Sequence, residues 1–311
     1  MTQVLSGFAI ILVVIGVGWV LAARGTLGPG GQRALASLVY AVATPCLLFD
    51  TMTHSDPAVL FSSILGVVAL SALLVGAFFF LLCRFVLRRS AAESIIGMLS
   101  SSYANGGNLG IPLAAYVLGD ASVVIPVMLF QIAFYAPLSL SALEVCTSSG
   151  RTRWQSQVRT VLGNPMLLSS VFGCVVTLSG WRVPAVIAQP VSILGGASVP
   201  LALLVFGMSL RGARVLGEEG RRVDVLLASA AKNLLQPLLS AALGAWVFGM
   251  SGEMLRAVVV LGALPTAQNV YTYAVKFRVG EEQARDAGVV STLVSVPVIM
   301  VIALLSHGVP T

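Results

Sequence analysis

The sequence predicts an all-α polytopic membrane protein of about ten transmembrane helices, arranged as a 5+5 inverted repeat with broken, crossing helices four and nine. Three observations carry this. Of the 311 residues, 57% are hydrophobic and 10% charged, and the mean hydropathy is +0.96; a soluble domain carries about 25% charged residues. Apolar runs of about 20 residues, enough to cross a hydrocarbon core about 30 Å thick, recur along the whole chain. Two proline-containing landmarks also recur at nearly one offset.

The first helix is expected over 4–23. It has no basic segment before it, since Arg24 follows the apolar run, so it reads as a mature helix rather than a cleavable signal. The others are expected over 31–54, 58–83, 92–118, 121–145, 161–180, 183–210, 224–249, 252–276 and 284–306. Helix three contains Val68, expected to face lipid. Basic residues mark the cytoplasmic side of short loops. Fifteen of the eighteen fall in alternate loops, around Arg33, Arg88, Arg153, Arg221 and Arg278, against only Arg182 and Arg256 in the opposite set. Both termini are therefore expected outside, in a multi-pass protein of the bacterial inner (plasma) membrane. The net charge of +6 follows from this loop bias, so nucleic acid is excluded as a partner and the lipid bilayer is retained.

The repeat rests on Pro45 in helix two against Pro200 in helix seven, and on Pro112 in helix four against Pro265 in helix nine, separated by 155 and 153 residues. The halves are expected at 1–150 (helices one to five) and 151–311 (helices six to ten), joined by a basic segment near 146–160. Because five is odd, the second half enters the membrane from the opposite side.

Helix four carries Asn105, Gly106, Gly107, Asn108, Gly110 and Pro112 near its middle, and helix nine carries Pro265, Gln268, Asn269 and Tyr271 at the matching depth. Glycine weakens a helix and proline removes a donor. Such backbone persists at membrane depth only where it is buried in protein or lines a polar cavity. Broken helices crossing there would bring half-helix ends together to hold an anion without a buried cation. The expected binding residues are Asn105, Asn108, Pro112, Gln131 of helix five, Pro265, Gln268, Asn269 and Tyr271. Lys232 in helix eight and Asp50 near the outer end of helix two are the coupling or structural charges, and Pro45 and Pro200 face the crossover. Each feature has a plainer reading: a single kink is more often packing than site, and Lys232 could be ion-paired or snorkel to the interface. The pairing of the breaks and the surrounding carboxamides favour a site.

Cys46, Cys83, Cys146 and Cys174 are too widely spaced for a metal pair or a disulfide framework. No metal or cofactor is expected. There is no HExxH and no GxSxG, and His54 and His307 stand near helix ends, which disfavours an enzyme.

Several segments together resemble the auxin efflux carrier family, which includes plant PIN carriers and short bacterial organic-acid (malonate or malate) permeases. They are Ala43 to Phe49, Asn105 to Leu113, Gln131 to Tyr135, Pro200 to Leu210, Lys232 to Leu238, Ala263 to Phe277 and Ser291 to Pro297. The resemblance implies a 5+5 inverted repeat crossing at the proline-containing breaks. It also implies a scaffold of helices one, two, six and seven, and a transport domain of helices three to five and eight to ten that moves like an elevator. By position it marks Asn105, Gln131, Pro112 and Pro265 as site residues, with Asn269 and Tyr271 following the second break. The long cytoplasmic loop of many plant carriers is replaced by about fifteen residues, so neither regulation through that loop nor auxin as the substrate carries over. A secondary carrier for a small organic anion, with export as its expected direction, leads; a membrane receptor that binds the same solute without moving it is the alternative, and a homodimer is the candidate assembly.

Overall fold

The structure, a computed structural model, describes residues 2–54, 62–110, 113–114, 118–147, 163, 165–211 and 214–306, with side chains described from residue 13 onward except at 108, 121–122, 166–167, 170 and 303–306. Pro112, Asp56, Arg153 and His307 lie outside the described residues, as does most of the segment joining the halves. Among the described residues the fold is all-helical, without a β-strand.

In chain order the helices are α1 (Thr2–Arg24), α2 (Gly31–Thr53), α3 (Ser63–Val86), α4 (Ala91–Ser102), α5 (Ile125–Thr147), α6 (Pro165–Ser179), α7 (Ala185–Ser209), α8 (Glu219–Val247), α9 (Gly252–Gly262), α10 (Asn269–Phe277) and α11 (Glu281–Ser306). Among the described residues, six stretches are long and apolar enough to cross a membrane unbroken: α2, α3, α5, α7, α8 and Glu281–Ile302 of α11. Their outward side chains are apolar too: Val186 and Trp246 are each 85% exposed and Leu238 is 69% exposed. That surface suits a hydrocarbon solvent, because each helix satisfies its own backbone and needs no water.

Three of the unbroken helices, α2, α5 and α8, handle an internal proline in the same way. The N–H of Thr44 bonds to Val39 O, that of Ala136 to Gln131 O and that of Gln236 to Ala231 O, five residues back instead of four. The next residue is in every case proline: Pro45, Pro137 and Pro237. Proline offers no N–H and would clash with the carbonyl one turn earlier. One wide turn moves that carbonyl aside and lets the helix continue. Two of these wide turns begin at or beside the polar residues singled out above, Gln131 and Lys232.

Close backbone approach sets the packing of α1 on α7. A Cβ at Gly18 would overlap the carbonyl of Leu204, and one at Gly207 would overlap that of Ile15; small residues let membrane helices pack this closely. The main core joins α4, α5 and α10 to α2 and α7 through Leu48, Leu99, Tyr103, Tyr135, Phe206 and Tyr273. One expectation is overturned. Val68 is only 5% exposed and packs with Ala104, Val127, Val260 and Leu264. Helix α3 is apolar all round, so its pattern did not reveal which side meets protein.

At the arginine-rich end, Arg89 pairs with the fully buried Asp224 at 2.8 Å and Arg221 pairs with Glu93, tying the start of α4 to the start of α8. Glu93 also completes a capping box with Ser90, which satisfies orphan N–H groups at the first turn of α4.

Candidate functional site

Helix α4 stops at Ser102 and the chain passes through Tyr103, Ala104 and Asn105 before a wide turn at Gly106–Gly110. Helix α9 stops at Gly262, and α10 starts at Asn269. These two interruptions meet. Asn105 N–H donates to Pro265 O at 2.8 Å and Ala267 N–H donates to Tyr103 O at 3.0 Å, an antiparallel bridge centred on Ala104 and Thr266. Backbone groups freed by the breaks thus satisfy each other, as they must where no water is at hand.

Side chains complete the junction. Asn105, 2% exposed, donates from Nδ2 to Gln268 Oε1 at 2.7 Å. Thr266 N–H donates to Ser291 Oγ of α11 at 3.0 Å, and Thr266 Oγ1 donates to Ser100 O at 2.6 Å. Helix α8 serves both helix ends: Gln236 Nε2 donates to Ser102 O and Asn233 Nδ2 to Ala263 O, each at 3.4 Å, while Lys232 Nζ donates to Gly262 O at 2.9 Å.

Beside the junction lies a cleft of about 50 Å3 lined on one side by Tyr103, Asn105, Gly107, Gln131 and Asn269, and on the other by Leu47 of α2 and Val199 of α7. Three of the expected carboxamides therefore share one cavity. They come from three separate segments: the break after α4, the wide turn of α5 and the first residue of α10. Carboxamides carry both donors and acceptors without a charge, and the start of α10 adds the partial positive end of a helix. Tyr103 is held by stacking on Tyr135 at 6.0 Å, whose hydroxyl is 2.6 Å from Ser102 Oγ. Two larger cavities are of another kind. One, about 470 Å3, is walled by apolar side chains such as Cys46, Phe49 and Phe172. The other, about 480 Å3, lies at the arginine-rich end between Arg211, Arg214, Arg285, Glu218 and Glu282. There a hydrogen bond with Glu282 raises the Glu218 carboxyl above its ordinary range, and burial adds to it.

Other expected residues fall elsewhere. Gln268 does not line the cleft but accepts a hydrogen bond from Asn105, which does. Tyr271 turns away, its hydroxyl accepting from Gln32 of α2 and its ring meeting Phe206 edge-on at 5.8 Å. Pro265 contributes its carbonyl to the bridge, Pro45 lines the apolar cavity and Pro200 is exposed; Leu47 and Val199, near them in sequence, are what reach the cleft. Asn108 lies in the wide turn, and its side chain is outside the described set. Asp50, near the end of α2, has its carboxylate 3.5 Å from His54 Nδ1. Reading the sequence did not single out Thr266, Gln236 or Ser291. Gln236 could have been found, since it stands one turn after Lys232 on the same helix face.

The profile of a family described as "Membrane transport protein" matches residues 3–145 and 151–303. The chain is similar to a "Putative malonate transporter" of Rhizobium meliloti (strain 1021), 24% identical over 71% of this chain and 70% of that protein. It is similar to the "Uncharacterized transporter YfdV" of Escherichia coli (strain K12), 24% identical over 86% of this chain and 87% of that protein. It is also similar to "Auxin efflux carrier component 3" of Arabidopsis thaliana, 26% identical over 47% of this chain and 23% of that protein. With nearly its whole length matched by one profile, the chain belongs to the membrane transport protein family, that of the auxin efflux carriers.

Proposed function

We propose that this multi-pass membrane protein is a secondary carrier that moves a small organic anion, a carboxylate in the first instance, by alternating access around the paired helix interruptions. The carrying observation is that Asn105, Gln131 and Asn269 line one cleft beside the junction of the two broken helices. Carboxamides can donate to a carboxylate and then release it, because the empty site holds no buried charge that must be neutralised. A cleft of about 50 Å3 has room for one or two waters, at about 30 Å3 each, so a carboxylate enters only if the walls separate. The walls come from two groups of helices, α2 and α7 against α4, α5 and α10. That division supports a scaffold built from α1, α2, α6 and α7 and a moving body built from the rest, in an elevator-like cycle.

The same reading completes the topology. Ten spans in two inverted halves, 1–150 and 151–311, follow if α1 and α6 cross the membrane and the pairs α4 with its continuation and α9 with α10 each make one interrupted span. The loop bias puts both termini outside. A cysteine placed at Arg153 should then resist an impermeant thiol reagent in intact right-side-out cells, and labelling there would reverse the orientation.

Malonate is the first solute to test, because the Rhizobium meliloti relative is named for it. Purified protein in proteoliposomes should exchange labelled malonate or another small carboxylate across the membrane. Binding without movement in either direction would make the protein a receptor instead of a carrier.

A further inference from the structure

Lys232 does not line the cleft, and the carrier cycle above does not use it. Its side chain is fully buried, which rules out snorkelling to the interface, and Nζ donates to Gly262 O at 2.9 Å. Gly262 ends α9, so this carbonyl is among those a helix leaves without an internal partner, at the negative end of the helix dipole. Asn233, the next residue on α8, donates to Ala263 O just beyond. Among the described residues no carboxylate forms an ion pair with Lys232. A buried charge is normally paired with its opposite, so carbonyl dipoles are the compensation that the fold supplies.

A second observation points the same way. The stretch of α8 that carries Lys232 also buries Asn233 Oδ1, Gln236 Oε1 and Ser240 Oγ, none of which has a donor. Ser240 lies against the end of α9, since a Cβ at Gly262 would sit 2.7 Å from its Oγ. Neutral oxygens in excess, grouped with the carbonyls of an unwound helix end, are the surroundings in which membrane carriers hold a cation. An ammonium brings three donors, one of which is already placed on Gly262 O.

We propose that the Lys232 ammonium is a built-in cation for the junction of the broken helices, occupying the kind of site that a bound alkali ion would take, so that the protein needs no such ion. The first test uses no substrate, so it stands or falls separately from the carrier reading. Purified protein in detergent is melted in sodium chloride, in choline chloride and in ethylammonium chloride. The wild type should melt at one temperature in all three; a rise in sodium over choline would overturn the proposal without any mutation. Lys232→Gln, which keeps a donor and loses the charge, should melt several degrees lower, whereas a melting point equal to that of the wild type would show that charge is not needed. Lys232→Ala should recover part of its loss in ethylammonium and none in propanol of equal concentration; equal recovery in both would assign the side chain to packing alone. In proteoliposomes that move malonate, wild-type uptake should be the same in sodium as in choline and Lys232→Gln should be slower by about tenfold, the loss of a bond to a charged group. Sodium-dependent uptake by the wild type would overturn the proposal.

Discussion

Pro45 and Pro265 are both prolines deep within apolar segments, yet α2 runs unbroken from Gly31 to Thr53 while the chain leaves the helix between Gly262 and Asn269. At Pro45 a wide turn absorbs the missing donor, and the neighbouring Thr44 hydroxyl bonds to Ser198 of α7 at 2.9 Å. At Pro265 the backbone finds its partners outside the helix, on Asn105, Tyr103 and Ser291. The two prolines are chemically the same. What differs is whether neighbouring segments offer groups that can replace helical hydrogen bonds, so the opening at the crossing belongs to the partners of Pro265 more than to its ring.

The largest effects are expected where the opened backbone meets the cleft. Asn105→Ala and Asn269→Ala should fold and insert but bind a carboxylate more weakly by about 10-fold to 150-fold, the loss of one hydrogen bond to a charged ligand at roughly 1.5 to 3 kcal/mol. Titration calorimetry with a carboxylate that the wild type binds measures this. Wild-type affinity in both mutants would remove the cleft from the binding site and leave the breaks as hinges.

A stability measurement then sharpens the comparison of the prolines. Ser291→Ala strips the acceptor from Thr266 N–H in a fully buried position, so it should destabilise by about 1 to 3 kcal/mol. Pro265→Ala leaves every one of those external partners in place and should cost less. If Pro265→Ala proves the more damaging in thermal unfolding, the ring holds the break open and the account above is inverted. Thr44→Val, at the unbroken site, should lose about 0.5 to 1.5 kcal/mol with its bond to Ser198 and leave carboxylate affinity unchanged; a large drop in affinity would show that the α2 and α7 contact also shapes the cleft.

Much of the lining of the candidate cleft was legible because the polar residues were conspicuous. Asn105, Gln131 and Asn269 are amides in segments where apolar residues would be easier to bury, and two of them stand beside glycine or proline interruptions. Ser291 gave no such signal: a serine in a helix can bond to its own backbone, and its service to Thr266, 25 residues away, exists only after folding. Tyr271 follows the break as expected, but helical geometry swings it toward Gln32 and Phe206, since side chains two residues apart on a helix do not share a face. The wide turns were hidden for a different reason. Proline predicts a local disturbance and does not by itself say whether one carbonyl will be moved aside or the whole segment unwound.

The smallest expected effect concerns the outer surface, where the helices meet lipid rather than one another. Leu238 is 69% exposed on α8, one residue after Pro237, so Leu238→Ala removes atoms whose surroundings are hydrocarbon whether the side chain is long or short. There is no cavity to create and no hydrophobic gain to lose, because lipid tails are as apolar as leucine. A change within about 0.5 kcal/mol is expected, as for substitutions away from packed features, with carboxylate affinity unaltered. Val68→Ala is the matched contrast: an apolar truncation of similar kind, made at a residue packed against Ala104 and Leu264 beside the junction, where lost contacts and a void add up to about 1 to 3 kcal/mol. Measuring both by thermal unfolding tests which side of each helix faces protein. Equal and negligible losses would return Val68 to the lipid face and separate α3 from the junction; a large loss at Leu238 instead would mean that another protein surface, such as a second copy of the chain, covers that side of α8.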